Sequence, residues 1–181
     1  MPNWVLNDLT ITGPETELDR FMAECFTGPR FDFDKLIPMP ATLKGWRPRR
    51  SLREFERSFP DWYLWSVENW GTKWNAHYTA FALRDDGVRT IKLSFDTAWS
   101  IPWPIYQKLA ECLPLLTIEG EIFEPNMEFG GHICCRGDKI EYEDKSEQIQ
   151  AKMAEFYAKL ESEEATTKDN AVSSADHDVP F

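Results

Sequence analysis

Residues 77–95 have the sequence HYTAFALRDDGVRTIKLSF, and this stretch decides the fold of the chain. Two runs rich in apolar and β-branched residues, 77–83 and 89–95, flank the turn residues Asp85, Asp86 and Gly87. Such runs on either side of an Asp-Gly pair are typical of a β-hairpin. The sequence therefore predicts two neighbouring antiparallel strands here.

A strand and a helix are predicted before this hairpin. Within residues 3–12, Val5, Leu9 and Ile11 fall mostly on one face of an extended chain, which indicates a half-buried strand. Apolar side chains then recur at helical spacing up to Phe26, which predicts a helix that begins at residue 15 or 16.

The remaining segments complete an α+β pattern. Residues 31–39 are predicted to be extended, residues 104–112 to form a helix with proline in its first turn, and residues 115–123 to form a strand. A last hairpin is predicted over 129–135 and 139–143. The order strand, helix, strand pair, helix, strand predicts a ferredoxin-like βαββαβ sandwich, extended by this C-terminal β-hairpin and a helix.

The chain divides into three parts by composition. Residues 1–145 are predicted to form the α+β domain, residues 146–160 a C-terminal helix, and residues 161–181 an acidic disordered tail with too few apolar residues to form a core. An insertion into the domain is predicted at about 41–61. It carries a secondary basic patch at Arg47, Arg49, Arg50 and Arg53.

The charge of the chain restricts its partners. Acidic residues outnumber basic ones by 31 to 20, which gives a formal net charge of −11. A negative field repels phosphates, so nucleic acid is disfavoured as a partner, whereas basic surfaces are attracted. No apolar run has membrane-spanning length and no secretory signal is visible, so a cytoplasmic protein with reduced thiols is expected.

Three segments together carry a resemblance to a known family. They are MPNW at residues 1–4, NWGTKWNA at residues 69–76 and TAWS at residues 97–100. Over about residues 1–142 the chain resembles the YubB-like proteins of plasmids, phages and bacterial genomes. The resemblance implies a ferredoxin-like domain and a mobile-element context, and it implies no particular activity.

The second and third of these segments also form the candidate binding site. They adjoin opposite ends of the two hairpin strands, so hairpin pairing brings them together at one edge of the sheet. Aromatic area with a few polar groups is what recognition requires. The alternative is that the aromatic side chains cap the end of the core. The predicted binding residues are Trp70, Lys73, Trp74, Asn75, Asp96, Thr97, Trp99 and Trp103.

A conventional catalytic or metal site is not predicted. His77, His132 and His177 are too few and too dispersed for a metal centre. A cysteine nucleophile at Cys134 or Cys135 beside His132 satisfies residue types only, and no phosphate-binding loop or nucleophile motif is present. No metal, cofactor or enzymatic activity is therefore expected.

The predicted function is that of a non-enzymatic binding protein of a mobile genetic element. It would engage a host macromolecule, expected to be a protein, through the aromatic loops and the acidic surface, with inhibition of a defence system as one specific version. One alternative is a nucleic-acid-binding module that uses the sheet face and the basic segment 44–57. Another is a small ligand-binding or enzymatic domain. The oligomeric state and the role of the tail stay open.

Overall fold

The structure, a computed structural model, describes residues 2–44, 61–85, 89–125 and 129–151 and residue 154. Its strands are β1 (Trp4–Thr12), β2 (Phe26–Thr27), β3 (Arg30–Phe31), β4 (His77–Asp85), β5 (Arg89–Ala98), β6 (Thr117–Glu124), β7 (Phe129–Arg136) and β8 (Lys139–Asp144). Its helices are α1 (Glu15–Cys25), α2 (Phe33–Leu36), α3 (Asp61–Trp70) and α4 (Trp103–Cys112). A further helix begins at Ser146.

Six of the strands form one antiparallel sheet in the order β4-β5-β1-β6-β7-β8. Strand β1 lies in its interior, where Leu9 is opposite Leu93 on β5 and Gly120 on β6. The predicted α+β class is confirmed. The six-stranded order differs from that of a four-stranded ferredoxin-like sheet, because the last hairpin adds β7 and β8 beyond β6.

The core lies on one face of this sheet, between the strands and the helices. Alternate residues of β1, including Val5 and Leu9, are buried, and α1 packs its Leu18 and Phe21 against the same cluster. Helix α4 contributes Ile105 and its neighbours on the same helical stripe. Burial of this apolar area is the main stabilising term, at about 25 cal/mol per Å² removed from water.

The opposite face of the sheet, which we call the open face, is exposed. The side chains that alternate with the buried ones on β1, β5 and β6, such as Asp8, Lys92 and Glu121, lie in solvent there. Leu6 is 45% exposed on the same face. The helix that begins at Ser146 packs near one end of β7. Among the described residues, the exposed side chains of β1 and β5 on this face are available for contacts.

The segment 31–39 is not extended throughout, and that prediction is wrong. After the two-residue strand β3, Asp32 accepts a hydrogen bond from the backbone N–H of Asp34 and thereby caps α2. A capping aspartate satisfies an amide that has no partner within the helix, which stabilises even a single turn. The turn ends at Leu36, and Ile37 is extended, as is favoured for a residue before a proline.

Several predictions fall on residues that the structure does not describe. They are the basic patch Arg47, Arg49, Arg50 and Arg53, most of the insertion at 41–61, the end of the helix 146–160, and the tail 161–181.

Candidate functional site

The segments after α3 and after β5 meet at one edge of the sheet. Thr72 is buried and its hydroxyl oxygen lies 2.9 Å from the Ala98 carbonyl, to which it donates, and 3.1 Å from the Ala98 N–H, from which it accepts. Ser100 Oγ donates to the carbonyl of Gly71. These bonds fix the two segments relative to each other, so the aromatic side chains that they carry have defined positions.

A cluster of exposed and half-exposed side chains surrounds this meeting point, and we call it the aromatic rim. Its members are Trp4, Tyr63, Lys73, Trp74, His77, Tyr78 and Trp99. The ring centroids of Trp74 and Trp99 are 5.8 Å apart, and those of Trp4 and Trp74 are 6.0 Å apart. The His77 imidazole stacks on the indole of Trp4 at 4.7 Å and 17°.

One cation lies inside the rim. The ammonium nitrogen of Lys73 is 4.6 Å from the ring centroid of Trp74, 5.0 Å from that of Trp99 and 5.6 Å from that of Tyr63. Each distance is within the range of about 6 Å over which the negative face of an aromatic ring attracts a cation. The rim therefore combines aromatic surface with a place for positive charge.

Two rim residues have strained backbones. Among the described residues, Tyr78 at φ 45° and Trp99 at φ 64° are the non-glycine residues with positive φ. Side chains with a Cβ rarely adopt this conformation, which costs of order 1–3 kcal/mol, and such strain is concentrated at functional sites. Tyr78 is 73% exposed and Trp99 40% exposed. The fold thus holds two large rings at the surface at a cost in stability.

Three of the predicted binding residues turn into the protein instead, and the prediction that they contact a partner is corrected for each. Trp70 is 5% exposed because the last turn of α3 directs its indole into the core, where its N–H donates to the Ile37 carbonyl at 2.9 Å. Thr97 is fully buried and donates to the Ser100 carbonyl at 2.8 Å. Both side chains are buried and support the segments that carry the rim.

Asn75 is the third inward residue, and its amide connects the rim segment to α2. Its carbonyl oxygen accepts from the backbone N–H of Phe33 at 2.8 Å, and its amide nitrogen donates to Asp32 at 2.6 Å. Asp32 also accepts from the Thr27 hydroxyl at 2.6 Å. Burial acts to raise the pKa of Asp32, but these hydrogen bonds, with that from the Asp34 N–H, outweigh it and lower the pKa.

We expect Asp32→Asn to destabilise the protein at pH 7 by about 1–3 kcal/mol, because the new amide cannot accept from both Thr27 and Asn75. A lowered pKa in the folded state means that the ionised carboxylate stabilises the fold above its unfolded pKa, near 3.8, and that this contribution is lost as pH falls through the folded pKa. Urea unfolding of the unaltered chain and of Asp32→Asn from pH 7 to pH 2 measures the difference in their free energies of unfolding. This difference should shrink only at the acidic end.

A matched control for this prediction is Asp19→Asn. It alters an exposed ion pair, in which Asp19 lies 2.8 Å from Arg89, and should change stability by at most about 0.5 kcal/mol. If Asp32→Asn lowered the free energy of unfolding by the same amount at every pH, the ionised form of Asp32 would not be the source of the stability.

The other two predicted residues lie at different places. Asp96 is on the open face opposite His77, and its pKa is raised because partial burial outweighs the opposing effect of the His77 charge. Trp103 is 36% exposed but packs against Tyr142 of β8 at 5.2 Å. The structure therefore brings Lys73, Trp74 and Trp99 together, places Asp96 opposite the rim residue His77 and places Trp103 in another contact.

Sequence reasoning missed part of the rim. Trp4, Tyr63, His77 and Tyr78 are not in the predicted site. A register shift between His77 and Ala80 places His77 opposite Asp96, and this shift does not follow from the turn. Trp4 pairs with Ala98 at the start of β1, and the backbone N–H of Trp99 donates to the Asn3 carbonyl at 2.9 Å. Pairing between strands far apart in sequence was the missing information.

The open face next to the rim is rich in carboxylates. Its carboxylate residues are Asp8, Asp96, Glu119, Glu121, Glu141 and Glu143. Cations on this face include Arg84, Lys92, Arg136 and Lys139, and Lys145 lies 3.4 Å from Glu143. Because His77 belongs to the rim and faces Asp96, the aromatic surface passes directly into this acidic one.

The described residues offer little for covalent or metal chemistry. No group of three or more His, Cys, Asp or Glu side chains in the described ranges is arranged to hold a metal ion. Burial raises the pKa of Cys25 and of Cys135 to about 12, so both thiols stay protonated at neutral pH. A cavity of about 230 Å³ beside Cys134 is below the roughly 300–1,000 Å³ typical of ligand pockets.

Comparison with protein-family models, curated proteins and solved structures finds no match to this chain. The resemblance to YubB-like proteins therefore stays a prediction. Within the part of the chain that the structure describes, no helix is both long and apolar enough to cross a membrane.

Proposed function

We propose that this chain is a non-enzymatic binding protein that holds a basic protein partner against the aromatic rim and the adjacent open face. The observation that carries the proposal is the exposure of Trp74 and Trp99, at 36% and 40%, on a backbone that is strained at Trp99. Tryptophan is enriched among residues that dominate binding energy, and strained backbone conformations cluster at functional sites.

Charge defines the chemistry of the partner. The chain carries a formal net charge of −11, and carboxylates of the open face begin beside the rim at Asp96. Complementary charge speeds association and fixes orientation, so a surface rich in arginine and lysine is favoured. The same carboxylates weigh against the alternative in which the sheet face binds nucleic acid, since they would repel phosphates.

The resemblance to YubB-like proteins adds a biological context to this proposal. A protein of a mobile genetic element meets host macromolecules, and host proteins that bind nucleic acid have the basic grooves that an acidic surface can occupy. The proposed partner is therefore a host protein of this kind, with a defence protein as one case.

The finer description of the fold is also a proposal. We propose that β1, α1, β4, β5, α4 and β6 form a ferredoxin-like βαββαβ core, to which β7 and β8 are added. Two features support it: these elements follow one another in that order apart from the segment between α1 and β4, and their strands lie in the order β4-β5-β1-β6.

We expect the double replacement Trp74→Ala and Trp99→Ala to reduce capture of the partner at least tenfold, because loss of a central tryptophan typically costs 2 kcal/mol or more of binding energy. The measurement is quantitative affinity capture from a bacterial lysate with the full tagged chain. Urea unfolding should show that the variant remains folded.

The matched control is Trp103→Ala, which removes a tryptophan of equal exposure, 36%, outside the rim. It should leave capture unchanged. If the double variant captures the same proteins as the unaltered chain, the rim is not the binding surface and the proposal fails.

A further inference from the structure

Three aromatic rings form an enclosure around the ammonium of Lys73. We call the rings of Tyr63, Trp74 and Trp99 the aromatic cage. They come from α3, from the segment that follows it and from the residue that follows β5, so tertiary packing creates the enclosure. The two indoles are inclined by 32° to each other and lie within 5.0 Å of the ammonium, and Tyr63 is the third wall at 5.6 Å.

The geometry of the cage is held rigidly. Trp99 has its backbone at φ 64°, and its backbone N–H donates to the Asn3 carbonyl at 2.9 Å. Thr72, one residue before Lys73, is fixed by two hydrogen bonds to Ala98. A rigid site loses little conformational entropy when a ligand enters, and such preorganisation favours binding.

The present occupant is a poor match for the cage. Among the residues that the structure describes, the ammonium of Lys73 lies over the three rings and makes no hydrogen bond or ion pair. An ammonium is strongly hydrated and keeps its water at the surface. A guanidinium is planar and more weakly hydrated, and it stacks on indole faces.

We propose that the aromatic cage is a binding site for an arginine side chain of the partner, and that Lys73 is a resident cation which this arginine displaces. The inference rests on the proposed function and deepens it, since it names the partner residue that enters the rim. The acidic open face beside the cage supplies the attraction that a basic partner needs.

Displacement of Lys73 also gives the site selectivity. A tethered side chain competes at an effective concentration of the millimolar range or above, so an isolated arginine gains little by entering. A partner with further basic residues against the open face gains those contacts at the same time. The cage thus favours an arginine within a basic surface over free cations.

The test uses the probe Nα-acetyl-arginine amide, with rim tryptophan fluorescence as the readout. We expect saturable millimolar binding to Lys73→Gln that is about five- to tenfold tighter than to the unaltered chain, in keeping with the strength of one cation–π contact at a partly exposed site. Adding Trp99→Ala to Lys73→Gln should abolish saturation. The uncharged analogue Nα-acetyl-citrulline amide should not bind.

Two controls isolate the cage. Lys108→Gln removes an exposed lysine that pairs with Glu111 at 3.3 Å, and it should behave as the unaltered chain does. Trp103→Ala in the Lys73→Gln background should keep the binding. Equal affinity of Lys73→Gln and the unaltered chain, or equal binding of the citrulline analogue, would overturn the proposal.

The outcome is separable from that of the proposed function. If Lys73→Gln binds the arginine probe but the chain captures no protein partner, the proposal of an arginine-binding cage stands and the proposed function fails. If capture of a partner depends on the rim but Lys73→Gln does not bind the arginine probe, the proposed function stands and the proposal of an arginine-binding cage fails.

Discussion

Asn7→Ala is expected to destabilise the protein by about 3 kcal/mol, because several buried polar groups lose their partners at once. Asn7 is 1% exposed at the centre of the sheet. Its carbonyl oxygen accepts from the Tyr106 hydroxyl at 2.7 Å, and its amide nitrogen donates to the Val5 carbonyl at 3.0 Å and to the Phe95 carbonyl at 3.3 Å. Urea unfolding gives the change in free energy.

Two further variants show whether this network is the cause. Asp8→Ala alters the next residue of β1, whose carboxylate accepts from Ser94 at 2.9 Å on the open face, and it should cost about 0.5 kcal/mol. Tyr106→Phe removes the partner hydroxyl. The double variant of Asn7 and Tyr106 should then cost less than the sum of the two single changes, because no buried hydroxyl is left unpaired. Strict additivity would contradict a direct bond.

Gly71→Ala is expected to destabilise the protein by about 2–3 kcal/mol and to move the aromatic rim, because two penalties coincide. Gly71 has φ 75°, and a Cβ there would lie 2.8 Å from Pro104 Cδ and 3.2 Å from the Ile101 carbonyl oxygen. Relief of that contact separates the segments that carry Trp74 and Trp99. Urea unfolding measures the cost, and tryptophan fluorescence reports the displacement.

Gly28→Ala is the control that separates the two penalties. Gly28 has a similar φ of 58°, but a Cβ there would meet no atom within 4 Å. This variant should therefore cost only about 1 kcal/mol, the conformational penalty alone. It should leave the fluorescence of the rim unchanged. Equal costs at the two glycines would mean that the segments at Gly71 are free to separate.

The buried network and the exposed rim are physically connected. The Asn7 amide also reaches the Thr97 hydroxyl at 3.4 Å, and Thr97 holds the turn that presents Trp99 through the Ser100 carbonyl. A buried, fully paired polar group favours one arrangement of its surroundings, because any other arrangement leaves it unpaired. We therefore expect binding to be sensitive to changes at Asn7 that do not touch the surface.

Local patterns were sufficient for most of the secondary structure. The alternation of Val5, Leu9 and Ile11 predicts β1, and the Asp-Gly turn predicts the pairing of β4 with β5; both predictions are confirmed. These signals involve residues close in sequence, so the chain itself contains them. The same reasoning is wrong for residues 31–39, where one capping side chain, Asp32, converts an extended segment into a helical turn.

The site is less well determined by local patterns. Tryptophan occurs both in cores and in binding surfaces, so the pattern NWGTKWNA does not separate Trp70 from Trp74. The end of α3 directs Trp70 inward, whereas Trp74, four residues later, lies beyond the helix and faces Trp99. Direction depends on where a helix stops, which local sequence defines only to within a few residues.

By itself, the sequence determined the α+β class, the hairpin between β4 and β5, and the acidic charge, because each follows from composition or from neighbouring residues. Only the tertiary structure decided which indoles are exposed, that Lys73 lies among three rings, and that Asn7 and Tyr106 are partners. The contacts of Lys73 with Tyr63 and Trp99 and that of Asn7 with Tyr106 join residues between 10 and 99 positions apart, and their geometry depends on how helices and strands pack together.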